Sequence, residues 1–322
     1  MRLRLVPETT SIDFFRYAKF TMGLSAVAVI ASIAVWLLVG LNFGIDFRGG
    51  TTIRTESPQT VDVAAYREAI EPLGLGDVVI SEVFDPTFGD DENVAMIRIQ
   101  AQEGDEAVAS GTVARVMEAL RTVDPNIDDT SVESVGPKVS GELVRTAILA
   151  VTVALGAILI YIWLRFEWQF AVGAVVALFH DVILTIGIFS LLQIRFDLAT
   201  IAALLTIIGY SINDTVVIFD RLRENLRKFK KTPLVEVMNL SVNETLSRTI
   251  MTSGTTLLAL IALLILGGDV IRGFVFAITW GVIVGTYSSV YVAKNVVLFL
   301  GVKRDWDKQD PAAGTQFGDV DA

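Results

Sequence analysis

Cysteine is absent from these 322 residues, and histidine occurs once, at His180. Without cysteine no disulfide can brace any part of the chain, so an exported segment must be held by its own core. A lone histidine with no His, Cys or Glu partner at ligand spacing argues against a metal site, and no cofactor is expected. Charge is scarce too: Asp, Glu, Lys and Arg make up 19% of residues. The glycine-rich stretch "NFGIDFRGGT" lacks the G-x-G-x-x-G spacing of a phosphate cradle, and no nucleotide fold surrounds it.

Apolar residues are abundant instead, at 52%. A bilayer-spanning helix needs about 20 predominantly apolar residues. Six runs qualify: 20–41, 144–164, 168–191, 198–219, 250–266 and 274–300. The last is over-long for one span and is expected to end before Leu300. Arg16 and Lys19 precede the first run, but its length exceeds a signal-peptide core and no A-x-A-like cleavage site follows, so an anchor is expected.

Charge distribution sets orientation. Arg2, Arg4, Arg16 and Lys19 outweigh Glu8 and Asp13 ahead of the first span, which predicts a cytoplasmic N-terminus, residues 1–19. The segment 220–249, after the fourth span, holds seven Lys and Arg against four acids, as a cytoplasmic loop should. The tail 301–322 opens with Lys303 and Arg304 and is polar, so it is predicted cytoplasmic and disordered. The net charge of −10 belongs to one place. Residues 42–143 carry twenty acids against seven bases, a balance of −13, leaving about +3 for the rest. That acidity favours solubility of an exported segment and excludes nucleic acid as its partner.

Residues 42–143 are long enough for a small domain. "FRGGTTIRTE", "DVVISEVF", "VAMIRIQAQ" and "TSVESVGPKV" have strand character. "VDVAAYREAIEPLG" and "DEAVASGTVARVMEALRTV" have helical spacing, the second with acids at its start that suit the helix dipole. The order β-α-β-β-α-β predicts a ferredoxin-like α+β fold. The later spans are joined by short connections, "RFEW", "QIRFD" and "GGDVIR", which force antiparallel neighbours and a compact bundle.

Polar residues inside the spans are candidates for chemistry. In the fourth span, positions 207, 210, 211, 214 and 218 follow i, i+3, i+4 spacing, so Tyr210, Ser211 and Asp214 share a face beside Asn213. The fifth span opens on Arg248 and is rich in small and hydroxyl residues. The sixth carries Gly281 and Gly285 in a G-x-x-x-G spacing. These faces predict close packing of spans four, five and six. A carboxyl at depth costs at least ~2.5–3.5 kcal/mol and normally faces a cavity or partner. An arginine entering from the cytoplasmic side can snorkel toward it. Asp214 with Arg248 and Asn213 therefore reads either as a proton-responsive pair or as a static ion pair. Asp181, beside His180 in the third span, is equally a second relay or a packing partner. Gly44, Asp46, Arg48, Gly49 and Gly50 read as a structural junction between membrane helix and exported domain, with Asp46 and Arg48 close enough in sequence to pair.

"FGIDFRGGT" after a first span, "GYSINDTVVIFDRLREN" in a fourth and "LSRTIMTSGTTL" in a fifth together resemble the SecD/SecF family. The resemblance covers nearly the whole chain apart from the tail, and one modest exported loop matches the smaller type of chain in that family. It implies a six-helix half of a unit similar to resistance-nodulation-division transporters, completed to twelve helices by SecD. It implies a multi-pass protein of the bacterial inner membrane, working beside the SecYEG channel on unfolded preproteins with the proton-motive force. It also implies proton coupling at Asp214 and Arg248, and no catalytic chemistry. Two other readings remain: a subunit of a proton-coupled exporter of small molecules, and an intramembrane aspartyl protease using Asp181 and Asp214. The first usually carries two large exported loops. The second needs both carboxyls at one depth, whereas helix rise from the ends of the apolar runs separates them by about 10 Å.

Overall fold

The computed structural model describes residues 10–76, 78–83, 85, 88–89, 91–100 and 110–302. Arg2, Arg4, Lys303, Arg304, the rest of the tail and the acidic start expected for the second domain helix lie outside them. Among the described residues six helices are long and apolar enough to cross a membrane: α1 (Ala18–Val39), α5 (Pro137–Arg165), α6 (Trp168–Leu192), α7 (Leu198–Lys228), α8 (Leu234–Leu266) and a sixth over Asp269–Leu300. The sixth consists of α9 (Asp269–Ser288), a π-helical turn (Ser289–Ala293) and α10 (Lys294–Leu300). It therefore continues to Leu300 where an earlier end was expected; the wide turn lets the chain stay helical past its polar residues.

Between α1 and α5 come β1 (Asn42–Phe43), the single turn α2 (Ile45–Arg48), and β2 (Gly50–Ser57), α3 (Val63–Ile70), β3 (Val78–Val83), β4 (Asn93–Gln100), α4 (Ser110–Val123) and β5 (Asp128–Val135). The last six form the expected β-α-β-β-α-β order. Their sheet is fully antiparallel in the order β3-β4-β2-β5. The two central strands bury Ile53, Ile97 and Ile99 against Tyr66, Ile70, Val116 and Leu120 of the two helices. Burial pushes the Tyr66 phenol up to about 12, helped by Asp124, to which its hydroxyl donates at 3.4 Å. α3 is started by Asp62, whose side chain accepts from the Ala64 and Ala65 amides, the usual means of satisfying orphan donors at a helix start.

Helices α6, α7 and α9 form the centre of the bundle, while α1, α5 and α8 flank it and leave more surface uncovered. Lipid is as apolar as leucine, so packing in a bilayer depends on close approach rather than on escape from water. The glycines show where that approach occurs. A Cβ on Gly281 would overlap the Ile207 side chain, and one on Gly285 would meet Ser211 at 3.0 Å, so the G-x-x-x-G face of α9 lies against α7. Gly187 of α6 meets Ser32 of α1 in the same way.

Helices α7 and α8 outrun their apolar segments the most. α7 extends nine residues past 219 and α8 begins at Leu234, so 220–249 is mostly helical and the connection shrinks to 229–233. Polar side chains stabilise this extension across the hairpin. Arg221 donates to Glu244 at 2.7 Å and to Glu224 at 2.6 Å, and buried Asn225 donates to Ser241 and Glu244. The segment before α1 is strapped to the same end of α8. The Ile12 amide donates to Asn243 Oδ1 and the Asn243 amide returns a bond to the Ile12 carbonyl, both at 2.9 Å. Asn239 accepts from the Phe14 amide at 3.0 Å.

Alanine in place of Gly281 should destabilise the purified chain by about 1–3 kcal/mol, since overpacking a tight seam forces displacement. Gly254→Ala, where a Cβ meets open space, should be neutral or slightly stabilising, because helical glycine is intrinsically costly. Thermal unfolding in detergent distinguishes the two; an equal effect at both sites would contradict the packing assigned to α9.

Candidate functional site

The periodicity of α7 places Ile207, Ser211, Asp214 and Ile218 on its buried face, with Tyr210 half-buried beside them. Asp214 looks toward α8. Ser253 of α8 faces its carboxyl group, and Arg248, five residues earlier, supplies the opposing charge. One carboxyl oxygen, Oδ2, is buried without a partner. The Arg248 side chain is exposed, and among the described residues no ion pair joins it to Asp214 and no hydrogen bond to Asn213. Asn213 is also exposed, about 100° round the helix from Asp214. Hydroxyls continue from Asp214: Ser253 and Thr286 of α9 lie 2.7 Å apart, and Tyr210 donates to Ser253 at 3.4 Å.

A second polar centre surrounds Asp181 on α6. Ser211 of α7 donates to its Oδ2 at 2.6 Å and Ser288 of α9 to the same oxygen at 2.8 Å. His180 Nδ1 lies 2.9 Å from the other oxygen, and its ring stacks on Tyr287 at 6.1 Å between centroids. Tyr287 in turn donates to the Thr21 carbonyl of α1. Thr215 and Ser289 add a hydroxyl pair at 2.8 Å between α7 and the π turn.

The two acids are closer in depth than helix counting suggested. Asp181 is level with Ser211, one turn from Asp214, or roughly 4.5 Å along the axis. The count failed because α7 continues past its apolar run to Lys228, so the end of that run does not mark a helix end. Depth is thus no argument against a carboxylate dyad. The bonding is: Asp181 spends both oxygens on Ser211, Ser288 and His180, while Asp214 faces the other way, toward α8.

The glycine-rich motif forms a knot at the opposite end of α7. β1 pairs in parallel with β6 (Arg195–Phe196), and the Gly44 amide donates to the Phe196 carbonyl at 2.8 Å. A Cβ on Gly44 would sit tightly against Arg195 Nε and Asp197 Cβ, at 3.2 and 3.3 Å, so glycine eases this contact. Gly49 and Gly50 have φ of 72° and 130°, backbone that side chains resist. Asp46 does not pair with Arg48. Its Oδ2 accepts from the Leu198 amide at 3.0 Å, at the first residue of α7, while Arg48 lies over the Phe43 ring. Asp197 caps the same helix through a reciprocal box with Thr200. Asp197, immediately ahead of an apolar run, carried a helix-start signal that would have located this junction.

Lys294 was not anticipated either. Its side chain is buried, with the ammonium 4.0 Å from the Phe15 ring centroid and 4.9 Å from that of Phe14. A lysine in the last turns of an apolar span was the only available signal.

Comparison with known proteins decides the lineage. The family model described as "Protein export membrane protein SecD/SecF, C-terminal" matches residues 115–303, and that of the "SecD/SecF GG Motif" matches 35–61. The chain belongs to the SecD/SecF family. It is 66% identical over 321 residues to the "Protein translocase subunit SecF" of Cereibacter sphaeroides, covering all of this chain and 99% of that one. It is 41% identical to the protein of the same name from Vibrio alginolyticus, over 94% of each. The crystal structure of a Thermus SecDF, described as a translocon-associated membrane protein, is similar at TM-score 0.82 and 36% identity. A SecDF in a super-membrane-facing form gives 0.68 at 38% identity. Each comparison covers 93% of this chain, which spans about 40% of the length of those SecDF chains. The GG match falls on the knot formed by Gly44, Asp46, Gly49 and Gly50.

Removing the Asp46 carboxylate with Asp46→Ala should cost about 1 kcal/mol, the usual value of a helix-start acceptor. Gly49→Ala should cost about 1–3 kcal/mol through backbone strain. Thermal unfolding of the detergent-solubilised chain checks both, and unchanged stability in either variant would refute the corresponding contact.

Proposed function

We propose that this chain is the SecF-type accessory subunit of a Sec translocase, in which it pairs with SecD in the inner membrane and uses the proton-motive force to assist preprotein export. The observation that carries the coupling role is Asp214: a carboxyl group buried within a span, one oxygen unpartnered, facing a hydroxyl and an uncommitted guanidinium on the next helix. A carboxylate at depth without a saturating partner is poised between protonation states. Movement of Arg248 toward or away from it changes which state is favoured. Asp181, with its serines and His180, is a secondary relay in this scheme, about one turn away. The chain has no catalytic chemistry of its own.

One charge crossing a potential of 100 mV is worth about 2.3 kcal/mol, so a few protons suffice to bias two positions of the exported domain. α7 is the member able to transmit them, since it carries Asp214 at mid-length and is held to the glycine knot through Asp46. Both termini are assigned to the cytoplasm, with the α+β domain outside, from the excess of Lys and Arg at the α7–α8 turn. SecYEG and unfolded preproteins complete the working assembly.

The SecD partner is assigned to an uncovered stripe. Thr206, Gly209 and Asn213 are exposed along one side of α7, and Arg248, Met251 and Thr255 along α8. A seam of small and polar residues suits a second bundle better than lipid. Asn213 then contributes to coupling through that partner rather than by bonding Asp214.

Asp214→Asn is expected to reduce proton-dependent stimulation of export, measured in inverted vesicles or by complementation of a depletion strain, to the level seen without the subunit. Co-purification with SecD should be unchanged; full complementation by this variant would sink the coupling role. Gly209→Trp should do the reverse at the level of assembly, lowering SecD recovery by about tenfold while the chain's own melting curve stays unchanged. Normal recovery would remove α7 from the interface.

A further inference from the structure

Three arginines converge beside the glycine knot. Arg48 comes from α2, Arg98 from β4 and Arg195 from β6, so three separate stretches of chain deliver like charge to one place. Together with Asn42, Gly44 and Gly49, Arg48 and Arg98 line a small cavity of about 60 Å³. Arg98 and Arg195 also face the adjoining cleft of about 570 Å³ between the open face of the sheet and the ends of the membrane helices.

Their compensation is incomplete. Arg98 donates only a long bond, 3.4 Å, to Asn42 Oδ1, and its Nε is buried without a partner. Arg195 lies 3.5 Å from Asp197, but its Nε has no hydrogen-bond acceptor. Among the described residues Arg48 has no ion pair, only its position over Phe43. Of the nearby acids, Asp46 Oδ2 accepts from the Leu198 amide and Asp197 Oδ1 from the Thr200 amide and hydroxyl, which leaves Asp197 Oδ2 facing Arg195; Glu133 and Asp269 line the wider cleft. Burial holds the Arg98 guanidinium below its ordinary value, and Arg195 and Arg48 lower it further, outweighing Asp197. Arg48 and Arg98 meet at a cavity with no acid in its wall, and Arg195 beside them has the one ion pair with Asp197, so the excess of guanidinium charge suits an anion.

We propose that Arg48, Arg98 and Arg195 form a binding site for a phosphate oxyanion, supplied by the headgroup of an anionic phospholipid. Planar guanidinium groups bind phosphate through paired N–H donors, and the small cavity gives a compact oxyanion room between Arg48 and Arg98. Lipid is the favoured source because of what surrounds the site. Asn42, the partner of Arg98, donates to the Gln193 carbonyl, and Gln193 donates to the Gly40 carbonyl, so the cluster sits where α1 and α6 end. There Leu37, Leu38, Leu191 and Leu192 are exposed and form an apolar wall for acyl chains. A phospholipid bound here would touch the glycine knot, the sheet and the start of α7 together. None of this depends on the coupling role of Asp214.

The test uses the full chain purified in a neutral maltoside detergent and examined by native mass spectrometry with phosphatidylglycerol or with phosphatidylcholine of the same acyl composition. A one-to-one phosphatidylglycerol adduct is expected, about tenfold above the phosphatidylcholine adduct, as charge-assisted contacts require. Arg98→Gln and Arg48→Gln should each abolish that preference, whereas Arg121→Gln, remote and paired with Asp128, should keep it. Arg48 is exposed, so its variant is expected to fold even if Arg98→Gln does not, and thermal unfolding verifies this. Inorganic phosphate alone forms the second arm. If it raises the melting temperature of the wild type but not of Arg48→Gln, and no lipid preference exists, the oxyanion site stands and its source is soluble phosphate. Equal retention of both lipids with no protection by phosphate, or a phosphatidylglycerol preference undiminished in Arg48→Gln, would overturn the site.

Discussion

Hydrocarbon neither donates nor accepts a hydrogen bond, so any polar group the bundle keeps at depth must find its partner on another helix. Asp181 is where that constraint acts most strongly. Its carboxylate draws serines from α7 and α9 onto a single oxygen and a histidine onto the other. Those bonds fix how the three central helices stand against one another, and the tight Gly281–Ile207 and Gly285–Ser211 contacts follow from the same register. Asp214, one turn away, has one hydroxyl and an incomplete shell. Two acids one turn apart thus differ in bonding: Asp181 has partners on both oxygens and joins the central helices, while Asp214 keeps one oxygen without a partner.

Helix α7 links the regions of the molecule. Its first residues are held by two aspartates, Asp46 from the glycine knot and Asp197 from its own cap. Its middle carries Asp214. Its far end is joined to α8 by Asn225, Arg221 and Glu244. A displacement at either acid layer therefore meets a helix anchored at both ends, and the strain is carried to the α+β domain or to the α7–α8 hairpin rather than lost in a loose loop.

Much of this was legible in the residues. Six apolar runs gave six helices, and alternating strand patterns gave the ferredoxin-like order, because burial demands are periodic and local. The spacing of Tyr210, Ser211 and Asp214 gave one face of α7 for the same reason. Helix lengths were less legible, since residues 220–249 are charged and their helicity is stabilised by cross-hairpin bonds that no single segment announces. Asp46 was placed in the correct motif but given the wrong partner. Its acceptor bond goes to an amide 152 positions away, and nothing in "NFGIDFRGGT" records that distance. Arg98 and Arg195 passed unnoticed because they look like ordinary solvated charges until the sheet and the α6–α7 turn bring them together. Lys294 was missed for a related reason: its aromatic neighbours Phe14 and Phe15 come from the other end of the chain.

The strap at Ile12 and Phe14 has a consequence in time. Its partners, Asn239 and Asn243, are separated from it by 225 to 231 residues. During synthesis the segment ahead of α1 must wait until α8 has left the ribosome before it can be fastened, and until Lys294 follows before Phe14 and Phe15 acquire their cation. Contacts that span so much chain carry a large closure entropy and form late. This end of the bundle is therefore sealed near the close of biogenesis, and the nascent protein passes most of its synthesis with its first and fifth helices not yet joined.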